Sequence, residues 1–470
     1  PANIPIVEPA PEAERMAPPP PGPEVIPAVP APVVEHLANG FTLITVPSHA
    51  VPLVSVMLVA PGGSADDPAG RAGRASLTAS VMTEGTAGRT AEQIHAAAES
   101  LGASLSGSAG WDGATLGITV RSADADSAVA LIADVARNAT LPAAELERQR
   151  AIAADAVRVS MRDPGDVATL AAARALYGTA DYGHPAGGTE ASLAAISRAD
   201  LQAAYRAAWR PNNTTLILSG DVDPVAARRI AQLYFGSWRA GPAPARHASA
   251  ARPAPRTDVI VVDMPDAGQA AVAVARAGIA RRDPRFYPAI VANAVLGGGY
   301  SAHLNQEIRI RRGLSYGSGS SLDARREPGP FVASTQTRND AAAQVLGLIL
   351  TEMRRLGAEP VPAAELNARR ASLTGDFGRN VETTSGLAQF VGSYVLRGID
   401  PAELLRYQQS VLAVTPAQAR AAAAELFAPE GATIVIVGQA SQFLPALRRE
   451  HANVTLIPIA DLHLDSATLR

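Results

Sequence analysis

Apolar residues fall into two rhythms along this chain. In "FTLITVP" (41–47) and "LVSVMLVA" (53–60) they crowd into short runs rich in β-branched residues, which predicts two strands. In "RASLTASVMTEGT" (74–86) Leu77, Val81 and Met82 recur at helical spacing, and Gly85-Thr86 supplies a stop. The rest of that helix is small and chemically quiet: Ser76, Thr78, Ala79 and Ser80. A second helix is predicted over 91–101. "SLSGSAGWDGATLGITV" reads as a hairpin turning near Trp111–Gly113. Helices then fill about 124–208, "NTTLILSG" is a strand, and Asp223-Pro224 starts a closing helix. Strands lead and helices cluster later, which predicts an α+β layered fold rather than a doubly wound parallel sheet.

The pattern then repeats. "LPAAELERQR" (141–150) recurs as "VPAAELNARR" (361–370), with Glu145 and Glu365 offset by 220 residues. "ISRADLQAAYRAAWRPNNTTLILSG" (196–220) recurs as "VTPAQARAAAAELFAPEGATIVIVG" (414–438). There Trp209 meets Phe427, Pro211 meets Pro429, Thr215 meets Thr433 and Gly220 meets Gly438, all offset by 218. Nearer the front of each half, Pro68 matches Pro284 at an offset of 216. Two alanine-rich helices that merely look alike would not share proline, glycine and aromatic positions. The chain therefore carries two copies of one domain, 35–240 and 257–470. A Pro/Ala linker at 241–256 joins them, and 1–34 is a Pro-rich strap or linker.

Composition removes several chemistries. The 470 residues are 47% hydrophobic and 18% charged, enough to bury cores in two domains. A net charge of -3 argues against nucleic acid. There is no cysteine, so no thiol nucleophile, thiolate metal site or disulfide. All 41 basic residues are arginine, which excludes a P-loop lysine or a Schiff base; codon bias accounts for that usage. No apolar run reaches the roughly 20 residues of a membrane span. A removed signal peptide followed by the Pro-rich front fits a periplasmic or otherwise exported protein, with a cytoplasmic location as the alternative.

Four segments touch on chemistry. "GLSYG" (313–317) matches the G-x-S-x-G nucleophile elbow, with Ser315 as nucleophile. That elbow joins a strand to a helix. Here Leu304 and Ile308 predict a helix before Gly313, so the order is reversed and the match accidental. His95 lies one turn from Glu92 and Glu99, but a solvated polar face is the commoner meaning; "DLHLD" with His463 reads the same way. The richest segment is "LGGGYSAHLNQEIRIRRGLSYGSGSS" (296–321). It holds a three-glycine loop, an amphipathic helix and a tyrosine just past the helix stop. Folding back at Gly313 would set Tyr316 beside Arg309, seven residues earlier. A guanidinium there holds a carboxylate or carbonyl, and a phenol donates to a developing oxyanion.

The duplicated α+β halves and "GGGYSAHLNQEIRIRRGLSYG" resemble the pitrilysin family of inverted-zincin metallopeptidases, which includes the mitochondrial processing peptidase and insulin-degrading enzyme. The resemblance covers nearly all of 35–470. It implies two homologous α/β-layer domains, in which the Arg309 and Tyr316 positions bind substrate and stabilise the tetrahedral intermediate. Active relatives carry H-x-x-E-H on the helix that ends in Gly-Thr. Aligned on Gly85-Thr86, those positions are Ser76, Ala79 and Ser80. The family's third ligand, a downstream Glu, aligns with Asp155 and Ala156. A catalytic zinc normally has three protein ligands, so no metal is expected in this chain.

The resemblance therefore implies the non-catalytic subunit of a heterodimeric zinc peptidase, inactive alone. Arg309 and Tyr316, with Gly298 and Gly299, would contact peptide or unfolded polypeptide held at the zinc of a homologous H-x-x-E-H partner. The alternative is a peptidase-derived pseudoenzyme acting as a peptide-binding or scaffold protein, like the core subunits of respiratory complex III. A serine hydrolase using Ser315 is a distant third.

Overall fold

The computed structural model describes residues 28–242 and 259–470. Most of the Pro/Ala linker and most of the Pro-rich front lie outside them. The first half contributes β1 (Val33–His36), β2 (Thr42–Pro47), β3 (Leu53–Pro61), β4 (Ser106–Ala109), β5 (Gly113–Arg121) and β6 (Thr215–Gly220). The second contributes β7 (Val259–Asp263), β8 (Ala270–Ala277), β9 (Ser318–Leu322), β10 (Pro330–Thr337), β11 (Thr433–Gly438) and β12 (Val454–Pro458). They form two six-stranded mixed sheets, β1-β2-β6-β3-β5-β4 and β12-β7-β11-β8-β10-β9.

Side chains on a strand alternate between faces, and here each face has its own core. On β3, Val54, Val56, Leu58 and Ala60 point into the first half's helices, Ala125–Asn138 and Pro224–Phe235 among them. Val59, and Ile217 on β6, point the other way. The second sheet splits identically: Val272 and Val274 of β8 face its own helices, while Ala271, Ala273 and Ala275 face outward. A sheet apolar on both faces must be covered on both.

The second cover comes from the opposite half. The helix Pro164–Tyr177 of the first half buries Val167, Ala168, Ala171 and Ala172 against β8 and β11 of the second sheet. The helix Thr384–Arg397 of the second half buries Leu387, Ala388 and Val391 against β3 and β6 of the first. Close approach is built in at Gly392: a Cβ there would sit 3.1 Å from Met57 Sδ and 3.2 Å from Val59 Cγ1. Polar contacts follow the same exchange, with Ser55 Oγ 2.9 Å from Thr384 Oγ1.

The register carries the duplication down to single residues. Thr215 of β6 pairs with Val59 of β3, and Thr433 of β11 pairs with Ala275 of β8, antiparallel in both halves. The copies differ at one edge. β1 enters from the N-terminal side and pairs antiparallel with β2, whereas β12 comes from the C-terminal side and pairs parallel with β7. β1 begins at Val33, so pairing reaches into the segment read as linker.

A clasp joins the two halves at their hairpin turns. Asp112, in the β4–β5 turn, accepts from Tyr182 Oη at 2.7 Å and from the backbone N–H of Arg326, in the β9–β10 turn, at 2.9 Å. The Arg325 guanidinium stacks on Trp111 at 4.4 Å and on Tyr182 at 4.6 Å. Tyr177 Oη donates to Pro328 O at 3.1 Å. No helix among the described residues is long and apolar enough to cross a membrane.

Candidate functional site

The segment 296–321 is built as a bracket on the edge of the second sheet. The helix Phe286–Leu296 runs into Gly297, whose carbonyl accepts from the β9 amide of Ser320 at 3.2 Å. The approach is so close that a Cβ on Gly297 would lie 2.1 Å from Ser320 N. Gly298 packs on the helix behind it, where a Cβ would meet Ala294 Cα at 2.6 Å. Gly299 has open space around its Cα. Of the two glycines assigned to substrate, Gly298 therefore has a packing reason to be glycine, and Gly299 alone is sterically open.

The predicted helix is present but changes pitch. It opens as a short α segment, His303–Asn305, and widens into a π turn, Gln306–Ile310, with Arg311 N donating to Gln306 O at 2.9 Å. π turns are rare and recur at functional sites. Leu304 and Ile308 anchor the segment in the second core. Gly313, at φ 61°, ends it as its composition predicted, donating to Arg309 O at 2.9 Å. The chain then turns back, and Thr337 Oγ1 holds Leu314 O at 2.6 Å.

This path brings Arg309 and Tyr316 together. The Arg309 guanidinium carbon lies 4.8 Å from the Tyr316 ring centroid. It also lies 5.0 Å from the ring of Tyr300, a contact the sequence reading missed. The signal was there: an aromatic directly after a glycine run has no local core to enter. Both rings are open to solvent, Tyr300 at 64% and Tyr316 at 87% exposure. Neighbouring cations are paired instead: Arg311 and Arg312 share Glu307. Burial opposes ionising Glu307, but hydrogen bonds from Arg312 and Arg311 and their charges outweigh it and hold the carboxyl low.

Ser315 is occupied. Its hydroxyl donates to Gly317 O at 2.7 Å, accepts from Gly317 N at 3.0 Å and lies 2.7 Å from Thr335 Oγ1. It closes a local turn between a helical segment and a strand, with no imidazole among its partners.

The quiet helix of the first half is Arg74–Val81. Its N-terminus rests on Asp67, whose buried carboxylate accepts from Gly73 N at 3.0 Å and Ala75 N at 2.9 Å, with Arg74 Nε at 3.4 Å. Burial pushes the Asp67 carboxyl up to about 7 against the pull of Arg74 and these amides. Ser76 Oγ donates to Ala186 O at 3.3 Å. The Ala79 carbonyl presses on β4, where a Cβ at Gly107 would lie 2.4 Å from it. The Ser80 carbonyl accepts from Thr83 Oγ1 at 2.8 Å.

A zinc ion does not fit these residues. Positions 76, 79 and 80 offer no imidazole or carboxylate. Asp155 is exposed and pairs with Arg158, which also holds Glu190 at 2.9 Å. His95 lies 3.5 Å from Glu84, a buried carboxylate that also binds Arg148 at 3.1 Å and Gln149 at 3.0 Å. Among the described residues, no three His, Asp or Glu side chains are placed to hold a metal.

Comparison with known proteins accounts for this frame. Residues 43–190 match the family model for insulinase, peptidase family M16, and residues 195–373 match the model for the peptidase M16 inactive domain. The chain belongs to peptidase family M16, the pitrilysin family. An uncharacterized zinc protease of Mycobacterium tuberculosis is 26% identical over 366 residues, 77% of this chain and 83% of that protein. The crystal structure of a peptidase M16 inactive domain from Pseudomonas fluorescens superposes with a TM-score of 0.81 at 26% identity, covering 87% of this chain and 98% of that one. A protease from Helicobacter pylori shares the fold with a TM-score of 0.81 at 19% identity, over 87% and 100% of the two chains.

Proposed function

We propose that this chain is the zinc-less subunit of a heterodimeric M16 peptidase, acting on peptide held at the zinc of a homologous H-x-x-E-H partner. One observation carries the reading. The Arg309 guanidinium stands beside Tyr316 with no ion pair or hydrogen bond among the described residues, while the helix Arg74–Val81 offers no ligand or base. A guanidinium without an acceptor and an exposed phenol are donors awaiting one. Arg309 binds the peptide, and Tyr316 donates to the oxyanion that forms on the scissile carbonyl.

The two sheet edges support a division of labour. The outer edge of β9 is already capped: Ser318 N donates to Asn305 Oδ1, Ser320 N to Gly297 O, and Asn293 Nδ2 to Ser320 O. Among the described residues, no backbone hydrogen bond caps the outer edge of β4, which lies against the helix Arg74–Val81. An extended peptide adds to β4 as a strand, gaining backbone hydrogen bonds with broad sequence tolerance. The Pro-rich front favours export to the periplasm.

The test is peptide hydrolysis with zinc by this chain, by an H-x-x-E-H homologue encoded beside it, and by the two mixed. Activity appears only in the mixture, and Tyr316→Phe lowers its kcat roughly 100-fold without blocking assembly, the usual cost of one oxyanion donor. Robust hydrolysis by this chain alone overturns the proposal. No gain on mixing favours a binding or scaffold role.

A further inference from the structure

We propose that Tyr300, Arg309 and Tyr316 form a clamp for a carboxylate on the bound peptide, with Tyr300 as a positioning residue. This rests on reading the segment as peptide-contacting, and adds what it selects. The two rings come from opposite ends of the helical segment, Tyr300 before His303 and Tyr316 after Gly313. Their centroids stand 5.0 and 4.8 Å from the Arg309 guanidinium carbon. A ring attracts a guanidinium through its charge and accepts none of its in-plane N–H hydrogen bonds. Among the described residues no acceptor meets those donors, and neither tyrosine hydroxyl has a hydrogen-bond partner.

The surrounding charges sharpen the point. Arg311 and Arg312 are held by Glu307, Arg355 by Glu352 and Arg369 by Glu365. Arg309 is thus the cation of this bracket with no carboxylate of its own among the described residues. The edge of a guanidinium matches a carboxylate through two parallel N–H···O bonds, a fit that a lysine ammonium cannot reproduce. A neutral backbone carbonyl uses only part of that edge. A peptide brings a carboxylate either as its free C-terminus or as an acidic side chain.

The experiment uses the full chain without any partner, so that its failure is separate from failure of the split-peptidase reading. Three nonapeptides, each labelled at its N-terminus with an uncharged fluorophore that has no carboxylate, are titrated by fluorescence anisotropy. One has neutral side chains and a free C-terminus, the second is its C-terminal amide, and the third is the amide carrying one internal Glu. The free acid or the Glu peptide binds at least 10-fold tighter than the neutral amide. Preference for the first identifies the terminus as the source, and preference for the Glu peptide identifies a side chain. Arg309→Lys abolishes the discrimination. Tyr300→Ala weakens it at least 5-fold and Tyr300→Phe restores it, since the ring and not the hydroxyl positions the guanidinium. Equal or absent binding of all three peptides overturns the proposal, as does discrimination that survives Arg309→Lys.

Discussion

Two alanine substitutions two residues apart should behave in opposite ways. At Gly297 an added Cβ meets Ser320 N at 2.1 Å, about 1 Å inside the closest approach real Cβ atoms show. The glycine loop or β9 must move. Overpacking of this kind costs about 1–3 kcal/mol. The hydrogen bond from Ser320 N to Gly297 O is lost as well, about 1 kcal/mol. Lower unfolded-state entropy returns about 0.4–1 kcal/mol. Gly297→Ala should therefore destabilise by about 1–4 kcal/mol. Gly299→Ala meets nothing within 4 Å and should stay within about 0.5 kcal/mol of wild type. Urea unfolding followed by tryptophan fluorescence and far-UV circular dichroism measures both. The peptide titration should weaken for Gly297→Ala, because displacing this loop moves Tyr300 away from Arg309. Equal stability of the two variants would refute the claim that Gly297 is glycine because β9 needs the space.

Asp112→Ala removes the acceptor for Tyr182 Oη and Arg326 N and should cost about 2–4 kcal/mol by chemical denaturation. A loss under 0.5 kcal/mol would show that the hairpin clasp is dispensable. Asp67 titrates near 7 when folded and near 3.8 otherwise, so its contribution is fully present below pH 4 and fades as pH rises through 7. Relative to Asp67→Asn, wild type should lose about 4 kcal/mol between pH 4 and pH 8; parallel stability curves would contradict this.

The duplication was legible because it rests on residues with strong local meaning. Pro211 and Pro429, Gly220 and Gly438 bound the same strand in each half, and the structure pairs those strands in the same register. The fold back at Gly313 was legible for the same reason: one glycine in a left-handed conformation decides where Tyr316 goes. The exchanged helices were not legible. Periodicity shows that Val167, Ala171 and Ala172 share a face, but not which sheet that face covers. Tyr300 escaped because a cation–π partner leaves no spacing rule. The π turn escaped because a one-residue widening is invisible to apolar residues spaced for an α-helix.

The helix exchange decides how this chain can be taken apart. Deleting the second half would strip Thr384–Arg397 from the first sheet and bare Ile44, Val46, Val59 and Ile217 to water. Deleting the first would do the same to Val262, Ala273 and Val435. Neither half is a module that evolution or an engineer could transplant alone, although the two remain recognisable copies. A backbone cut between residues 242 and 259 is a different matter. It severs none of the strands or helices described above, so the two fragments should refold from a mixture as one particle and neither should stay soluble by itself.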